Sequence, residues 1–256
     1  MQSLAQVFDR LGEESLDHDI YTTLSPLYRA MYVARGRIDG QLRTVEELAP
    51  PSASAVLEVG CGTGDLVARL EGRFDRAIAA DPSPAMARLA GERCRLVCQA
   101  DASAFQPDSI DVAVLLGAVL GHIRPDEAGI ATLEHVCQTL RPGGRVVCSV
   151  HRQLAAPRSR ELTRTIGRYE ITQRDEQRPR TAGSFEWAVS FELVDRHTSE
   201  SRQVATSVTI RAFEVEELER WFREAGLSVL ETRPREYVGG SGERDRAFLV
   251  VGECPE

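Results

Sequence analysis

The chain contains no lysine: all 31 basic residues among its 256 are arginine. Without a lysine ε-amino group, the protein has no side chain for Schiff-base chemistry or for the attachment of pyridoxal phosphate. The phosphate-binding lysine of the P-loop NTPases is missing for the same reason. Three large classes of protein are therefore excluded before any motif is considered.

Long hydrophobic runs and paired metal ligands are absent as well. The N-terminal stretch MQSLAQVFDRLGEESLD lacks the apolar core of a signal peptide, and no later segment approaches the length of a membrane span. The six cysteines form no CxxC pair, and the five histidines show no ligand spacing. We therefore expect a cytoplasmic protein with reduced thiols, no metal site and no membrane partner.

The overall composition is typical of a globular domain that binds small molecules. Hydrophobic residues make up 42% of the chain and charged residues 27%. A chain of this length buries roughly three quarters of the surface that its unfolded state exposes. The formal net charge of -8 disfavours a general attraction to nucleic acid, so we expect no nucleic-acid partner.

Short apolar segments alternate with helical patterns between residues 55 and 150. The apolar segments are continuous, which is typical of parallel strands covered on both faces. Strands are predicted at Ala55–Gly60, Arg76–Asp81, Arg95–Asp101, Asp111–Gly117 and Arg145–Val150, with closing strands around Leu227–Glu231 and Ala247–Gly252. This order predicts an α/β fold with a doubly wound, mostly parallel, seven-stranded, Rossmann-like sheet.

Two regions depart from that alternation. Residues 1–50 are predicted to form a helical cap on the main domain, residues 51–256. Residues 151–213 are predicted to be an insertion, composed of an arginine-rich stretch and an antiparallel β-hairpin. One face of the hairpin is apolar and needs cover from its own sheet or from a second subunit, so a homodimer is one option. That face contains Phe185, Trp187, Val189, Phe191 and Leu193.

The stretch VLEVGCGTGD, residues 56–65, carries three alternate glycines directly after the first strand. A dinucleotide-binding fingerprint requires its third glycine at the position of Asp65. Carboxylates also disfavour a pyrophosphate at a helix N-terminus, and Glu58 and Asp65 flank this loop. The loop therefore suits a cationic ligand without phosphate, and S-adenosylmethionine, with its sulfonium and ammonium groups, is such a ligand.

The same stretch resembles motif I of the class I S-adenosylmethionine-dependent methyltransferases. The resemblance covers residues 50–150 in detail and the last helix and strands more loosely. It implies a Rossmann-like methyltransferase fold in which the following residues border the methionine end of the cofactor: Glu58, Gly60, Cys61, Gly62 and Gly64. We expect Cys61 to fill space and not to act as a nucleophile.

Two further acids match the same family. Asp81 ends the second strand about 20 residues after the glycine loop, where an acid accepts hydrogen bonds from ribose hydroxyls. Asp101 ends the third strand and matches the acid that accepts from the adenine amino group, while Ala102 offers its backbone N–H to the ring. The resemblance places additional residues near the adenine, namely Pro82, Ser83 and Met86.

The substrate edge of such a sheet lies beyond the carboxyl ends of strands four and five. Leu116 and Gly117 are expected to border both cofactor and substrate there, with His151 also on the rim. The segment GAVLGHI resembles that of the methyltransferases that dimethylate amino groups of nucleotide-linked deoxysugars. His122 is a catalytic candidate, because an imidazole can orient or deprotonate a nucleophile near neutral pH. The sequence is equally compatible with a histidine that only caps the next helix.

Tyrosines of an N-terminal helix cover the cofactor in those amino-sugar enzymes. Tyr21, Tyr28 and Tyr32 match that description, and Tyr28 is the second catalytic candidate. The same three rings are equally compatible with the aromatic core of a lid helix.

Eight arginines and four acids lie between residues 151 and 183. A solvated surface is the default interpretation, and a grip for a phosphate- or carboxylate-bearing substrate is the alternative. The arginines are residues 152, 158, 160, 164, 168, 174, 178 and 180.

Methyl transfer from a sulfonium mainly requires alignment, exclusion of water and removal of a proton. We therefore predict a methyltransferase that acts on a nitrogen or oxygen of a small molecule, with an anionic one among the candidates. An RNA or protein side-chain methyltransferase and a catalytically silent S-adenosylmethionine-binding protein are the alternatives. The stretch LLGAV lacks the proline pair and aromatic residue that enzymes acting on exocyclic base amines carry after strand four.

Overall fold

The computed structural model describes residues 4–11, 19–32, 37–180, 183–234 and 246–255. The helices are α1 (Leu4–Arg10), α2 (Ser25–Tyr32), α3 (Arg37–Leu48), α4 (Val67–Leu70), α5 (Pro84–Ala90), α6 (Val119–His122), α7 (Asp126–Thr139) and α8 (Val215–Glu224). The strands are β1 (Ala55–Val59), β2 (Arg76–Ala80), β3 (Val97–Cys98), β4 (Ile110–Leu115), β5 (Leu140–His151), β6 (Arg158–Ile166), β7 (Tyr169–Arg180), β8 (Ser184–Asp195), β9 (Ser201–Arg211), β10 (Ser228–Pro234) and β11 (Ala247–Glu253).

The chain divides into two compact units. The first combines Met1–Ala34 with Leu154–Ile210, and the second combines Arg35–Gln153 with Arg211–Glu256. The sequence placed a boundary at residue 50, whereas α3 belongs to the second unit. The N-terminal residues up to Ala34 share the first unit with the inserted strands.

A seven-stranded sheet forms the centre of the second unit, in the order β10-β11-β5-β4-β1-β2-β3. The strands from β5 to β3 are parallel, and β11 is antiparallel to both of its neighbours. This confirms the predicted α/β fold with a mostly parallel sheet. Every residue of β1 is buried, which explains its continuous apolar sequence. The strand β3 is only two residues long and is shorter than predicted.

Helices cover both faces of this sheet. On one face, Leu133 of α7 and Trp221 of α8 pack with Leu57 of β1. On the other, Leu42 and Val45 of α3 belong to an apolar cluster with Val56. Burial of two separate apolar faces accounts for most of the stabilisation that such a sheet gains on folding.

The first unit contains a four-stranded sheet, in the order β6-β7-β8-β9. The predicted hairpin corresponds to β8 and β9, and two strands missed in the sequence, β6 and β7, extend it. Alternate residues of β8 are buried along its whole length, as the apolar alternation predicts.

Helices of the same unit cover the apolar face of this sheet. The ring of Phe8 in α1 lies 5.3 Å from that of Tyr169, and Tyr32 in α2 meets Trp187 edge-on at 5.3 Å between centroids. A second subunit is therefore not needed to cover the face, and the homodimer stays a prediction. No helix within the described ranges is long and apolar enough to cross a membrane.

Candidate functional site

The glycine loop is a tight turn between β1 and α4. Gly60, Gly62 and Gly64 have φ values of +68°, +55° and +74°, which side chains rarely tolerate. The N–H of Cys61 donates to the carbonyl of Ala80 at 2.9 Å, so the turn is tied to the end of β2. The alternate glycines therefore follow from the backbone conformation itself.

The three glycines differ in what surrounds them. A Cβ on Gly60 would lie 2.7 Å from Val119, and one on Gly64 would lie 2.8 Å from both Ala90 and Cys94. A Cβ on Gly62 would meet nothing within 4 Å. Two of the glycines permit close packing of α5 and α6, whereas Gly62 leaves a bare backbone that a ligand can approach.

Glu58 supplies a buried carboxylate with one unsatisfied oxygen directly before the loop. Its side chain is almost fully buried, and Oε2 has no hydrogen-bond partner among the described residues. Burial raises its pKa well above the ordinary value, and the charges of Asp81 and Asp65 raise it further, while a hydrogen bond from the backbone N–H of Val67 opposes the shift. Because an unpaired buried carboxylate oxygen is costly, the position fits a ligand that brings a cationic donor such as an ammonium.

Asp81 is locked in place at the end of β2. Its Oδ2 accepts from the N–H of Gly62 at 2.8 Å, and its Oδ1 accepts from the N–H of Ser83 at 2.9 Å. Each oxygen retains a lone pair that can accept a hydroxyl. Burial raises the pKa of this carboxyl, and the two N–H donors oppose that shift. The arrangement fits the ribose-binding role that the sequence predicts.

Ser83 explains the sequence that follows this acid. Its hydroxyl accepts from the N–H of Met86 at 3.3 Å and caps α5, while Pro84 occupies the first turn. Met86 is almost fully buried as a result. Pro82 lies between the locked acid and this cap.

Asp101 caps the short turn Ala102–Ala104. Its Oδ1 accepts from both the N–H and the hydroxyl of Ser103, and these bonds lower the pKa of the carboxyl. Its Oδ2 accepts from none of the described residues and remains able to receive a ligand amino group. Ala102 is buried. The adenine-binding role of this pair stays a prediction beside the capping role that the structure shows.

The turn after β4 is formed by consecutive residues with positive φ, Gly117 at +84° and Ala118 at +69°. The hydroxyl of Ser149 accepts from the N–H of Gly117, and the backbone carbonyl of Ser149 accepts from the N–H of Ala118. Leu116 is buried in the same apolar cluster as Cys61. Ser149 was not among the residues predicted from the sequence, although a lone hydroxyl within the apolar strand VVCSV was a signal.

His122 is the last residue of α6, the helix whose Val119 contacts Gly60. Burial, with a smaller effect from Arg124, lowers the pKa of His122 to about 4. The imidazole is therefore neutral at physiological pH and can accept a hydrogen bond. His151 ends β5, and its carbonyl accepts from the N–H of Phe213 at 2.8 Å.

The predicted tyrosines form one aromatic row in the first unit. Tyr28 stacks on Tyr32 with 5.0 Å between centroids and meets Tyr21 edge-on at 5.6 Å. The hydroxyl of Tyr32 donates to Asp175 at 2.5 Å, which gives this ring a structural role. The catalytic role of Tyr28 stays a prediction, and the two catalytic candidates belong to different units.

Most of the arginines between residues 151 and 183 have partners within the protein. Arg174, Arg178 and Arg180 form cross-strand ion pairs with glutamates on β6 and β8, and Arg178 also pairs with Glu176 on its own strand. Arg160 pairs with Asp175, and Arg164 donates to a carbonyl of α2. This pattern favours the interpretation as a solvated, ion-paired sheet surface, and the anionic substrate stays a prediction.

The sheet order defines a Rossmann-like protein, and the open glycine turn and the two buried acids fit a phosphate-free, cationic nucleoside. A family model described as a methyltransferase domain matches residues 33–232. The chain belongs to this methyltransferase family. The match confirms the predicted class I S-adenosylmethionine-dependent methyltransferase and its cofactor, S-adenosylmethionine.

Solved structures share the fold over nearly the whole chain. DesVI of Streptomyces venezuelae is 23% identical with a TM-score of 0.78, covering 94% of this chain and 100% of that one. The sugar N-methyltransferase KedS8 of Streptoalloteichus is 19% identical with a TM-score of 0.77, covering 96% and 98%. The amino pentose methyltransferase CalS10 of Micromonospora echinaspora, solved with S-adenosylmethionine bound, is 20% identical with a TM-score of 0.74, covering 93% and 99%.

Sequence relatives match a shorter region. Uncharacterized methyltransferases of Mycobacterium tuberculosis and Mycobacterium bovis are 32% identical over 116 residues. The match covers 44% of this chain and 46% of each relative. The chain thus spans about half the length of the curated relatives that it matches.

Proposed function

We propose that this protein transfers the methyl group of S-adenosylmethionine to a nitrogen or oxygen of a small molecule. The observation that carries the proposal is the unsatisfied Oε2 of Glu58, a buried residue directly before the loop whose Gly62 has an open backbone. A dinucleotide would bring only further negative charge to this position. When bound, the cofactor supplies a methyl group on a sulfonium that needs no further activation.

In this proposal each residue of the site binds a particular part of the cofactor. Glu58 accepts from the ammonium, Asp81 holds the ribose hydroxyls, and Asp101 with Ala102 holds the adenine edge. Pro82 and Met86 pack against the ring, and the loop residues exclude water from the methionine end. The remaining residues proposed to line this site are Gly60, Cys61, Gly62, Gly64, Leu116 and Gly117.

His122 orients the methyl acceptor in this proposal. A general base works best when its pKa lies near the operating pH, and a pKa of about 4 is well below it. The neutral imidazole therefore suits a hydrogen-bond acceptor that aligns an amine or hydroxyl, more than it suits a strong base. Tyr28 is proposed as a second residue facing the acceptor.

Two features support a small acceptor and a cytoplasmic location. Structures with TM-scores above 0.7 include proteins named as sugar and amino pentose methyltransferases, which makes amino sugars the first compounds to try. All six cysteines lie in described ranges and are free thiols, as is typical of a reducing compartment. An RNA or protein substrate is the runner-up, followed by a silent cofactor-binding protein.

Calorimetry with S-adenosylmethionine and with NAD tests the cofactor site. We expect binding of the first alone, and Asp81→Ala should weaken it by about 1–3 kcal/mol because the ribose hydroxyls lose their acceptor. Asp75→Ala removes an exposed carboxylate at the opposite end of β2, so it serves as the control. Unchanged affinity in Asp81→Ala would contradict the assignment.

A mass-spectrometric screen then tests the acceptor. Amino sugars, amines and alcohols are incubated with the protein and the cofactor, and products heavier by one methyl group are sought. Methylated tRNA or peptide in parallel reactions would favour the runner-up. Tight cofactor binding without any product would favour the silent binding protein.

A further inference from the structure

Two of the cysteines lie far apart in the sequence and meet in the structure. Cys137 is in the last turn of α7, and Cys254 directly follows β11. The Sγ of Cys137 donates to the Sγ of Cys254 at 3.6 Å, and the Sγ of Cys254 donates to the carbonyl of Cys137 at 3.5 Å. A disulfide requires its sulfurs at about 2 Å, so small rotations of the two side chains bring them to bonding distance.

Backbone hydrogen bonds hold both cysteines in place. The N–H of Cys254 donates to the carbonyl of Gly144 at 2.8 Å, and the carbonyl of Cys254 accepts from the N–H of Gly143 at 3.0 Å. The carbonyl of Cys137 accepts from the N–H of Leu140 at the end of α7. Because the two chain segments are already fixed beside each other, a bond between the sulfurs costs little additional ordering of the folded chain.

The cysteine pair lies at the opposite edge of the parallel sheet from the glycine loop. Glu253, the last residue of β11, pairs with Arg145, and Arg145 begins the parallel pairing of β5 with β4. Cys254 is therefore at the amino ends of the parallel strands, whereas the glycine loop follows the carboxyl end of β1. Both belong to the same compact unit. The proposed function makes no use of this pair.

The pair is open to a small reagent. Cys137 and Cys254 are only half-buried, whereas Cys61, Cys94 and Cys148 are buried. Burial and the hydrogen bond with Cys254 raise the pKa of the Cys137 thiol, so Cys137 keeps its proton. A thiolate on Cys254 would accept that S–H, and the thiolate is the attacking species in disulfide exchange. The first attack is therefore assigned to Cys254 and the second to Cys137.

We propose that Cys137 and Cys254 form a modification site, at which a low-molecular-weight disulfide such as oxidised glutathione introduces a reversible cross-link. The thiolate of Cys254 attacks one sulfur of the reagent and releases one glutathione, and Cys137 then attacks the mixed disulfide and releases the second. The protein loses two hydrogens, and the reagent is reduced to two thiols. The bond closes residues 138–253 into a loop and stabilises the fold, because it restricts the unfolded chain.

Oxidised glutathione is added to the reduced protein, and intact mass and peptide mapping identify the products. We expect Cys137 joined to Cys254 with the loss of two hydrogens, whereas a cysteine without a partner thiol gains the mass of glutathione. The midpoint of thermal unfolding should rise by about 5–10 °C and return after reduction with dithiothreitol. The affinity for S-adenosylmethionine should change less than about twofold, because the pair is distant from the glycine loop.

Cys137→Ser and Cys254→Ser should each abolish the cross-link and the rise in the unfolding midpoint. Cys98→Ser is the matched control, because it removes an exposed thiol of the same compact unit and should keep both effects. Glutathione adducts alone at Cys137 and Cys254, a cross-link between other cysteines, or an equal rise of the midpoint in Cys254→Ser would overturn the proposal. The mapping needs no cofactor, so it remains decisive even if the proposed function fails.

Discussion

At the scale of single residues, Glu58 and Asp81 are buried carboxylates whose charge depends on what lies beside them. Burial is the largest cause of the raised pKa of each. A cation bound next to them would favour the charged forms and lower both pKa values. The loop therefore holds acids that gain from a sulfonium and an ammonium, which is the electrostatic opposite of a phosphate-binding turn.

His122 gives the clearest pH dependence in the protein. Its pKa in the folded state is about 4, below the ordinary value of 6.5. Between these values the unfolded chain binds a proton that the folded chain does not, so the free energy of unfolding falls as the pH decreases through this window. Above pH 6.5 the imidazole is neutral in both states and adds no further dependence.

Substitution of His122 tests this behaviour. In His122→Gln the free energy of unfolding should depend less steeply on pH between 6.5 and 4, because the side chain no longer titrates. Denaturant unfolding across the window measures the slope, and proton NMR of the wild type should give a titration midpoint of about 4 for this imidazole. The same substitution at the exposed His197 controls for the general loss of a histidine. A midpoint near the ordinary value would show a solvated imidazole.

At the scale of elements, the glycine turn separates two contributions to stability. Gly62→Ala adds a methyl group in open space, so its cost comes from the positive φ alone, about 1–2 kcal/mol. Gly64→Ala adds the same backbone cost and also places a Cβ 2.8 Å from α5. We expect Gly64→Ala to lower the free energy of unfolding by about 1–3 kcal/mol more than Gly62→Ala does, as measured by urea unfolding.

The order of the two variants is the decisive result. Both variants lose a glycine with positive φ in the same loop, so the difference in their stability reports the packing around the added methyl group. Equal destabilisation would mean that α5 yields to the added methyl group. If Gly62 faces the cofactor as proposed, cofactor affinity should also fall in Gly62→Ala, because the added methyl group would occupy the open space at its backbone.

The sequence predicted well those elements whose residue types follow directly from their local burial or backbone conformation. Strands β1 and β4 are covered on both faces and are therefore continuously apolar. The loop glycines were predictable because the turn requires positive φ values, and Asp81 was predictable from its spacing after that turn. In contrast, Ser149 accepts hydrogen bonds from Gly117 and Ala118, which are distant in the chain, and no local pattern marks such contacts.

Strands β6 and β7 were missed for a physical reason. Most of β6 is exposed or half-buried, because it is the edge strand of its sheet. In β7 the inward positions are Tyr169, Ile171, Gln173 and Asp175, so the apolar alternation stops after two residues. A strand that buries polar groups in a hydrogen-bonded network looks like a polar loop in sequence.

At the scale of the whole molecule, the two compact units have separate cores. The first unit is centred on Asp175, which accepts hydrogen bonds from Tyr32, Trp187 and Gln173 and pairs with Arg160. The second unit is centred on the parallel sheet and contains the glycine loop. Changes in either core are expected to act first on its own unit.

Asp175→Ala tests this division. Loss of the carboxylate leaves several buried donors without an acceptor, so the first unit should lose about 3 kcal/mol. Hydrogen exchange should become faster in β7 and β8 and stay unchanged in β1 and β4. Glu176→Ala is the control, because its ion pair with Arg178 is exposed and costs at most about 1 kcal/mol. Faster exchange in both sheets would show that the units open together.

The bridge between His151 and Ala212 has a consequence for how this protein can diversify. The backbone leaves the parallel sheet after His151 and returns beside it at Ala212. The roughly 60 residues between these positions can therefore be exchanged by recombination without breaking a strand of that sheet. Helices α1 and α2 pack on the exchanged strands and would have to be inherited with them. Descendants of this gene are thus expected to change through paired replacement of two distant stretches, while the parallel sheet is passed on intact.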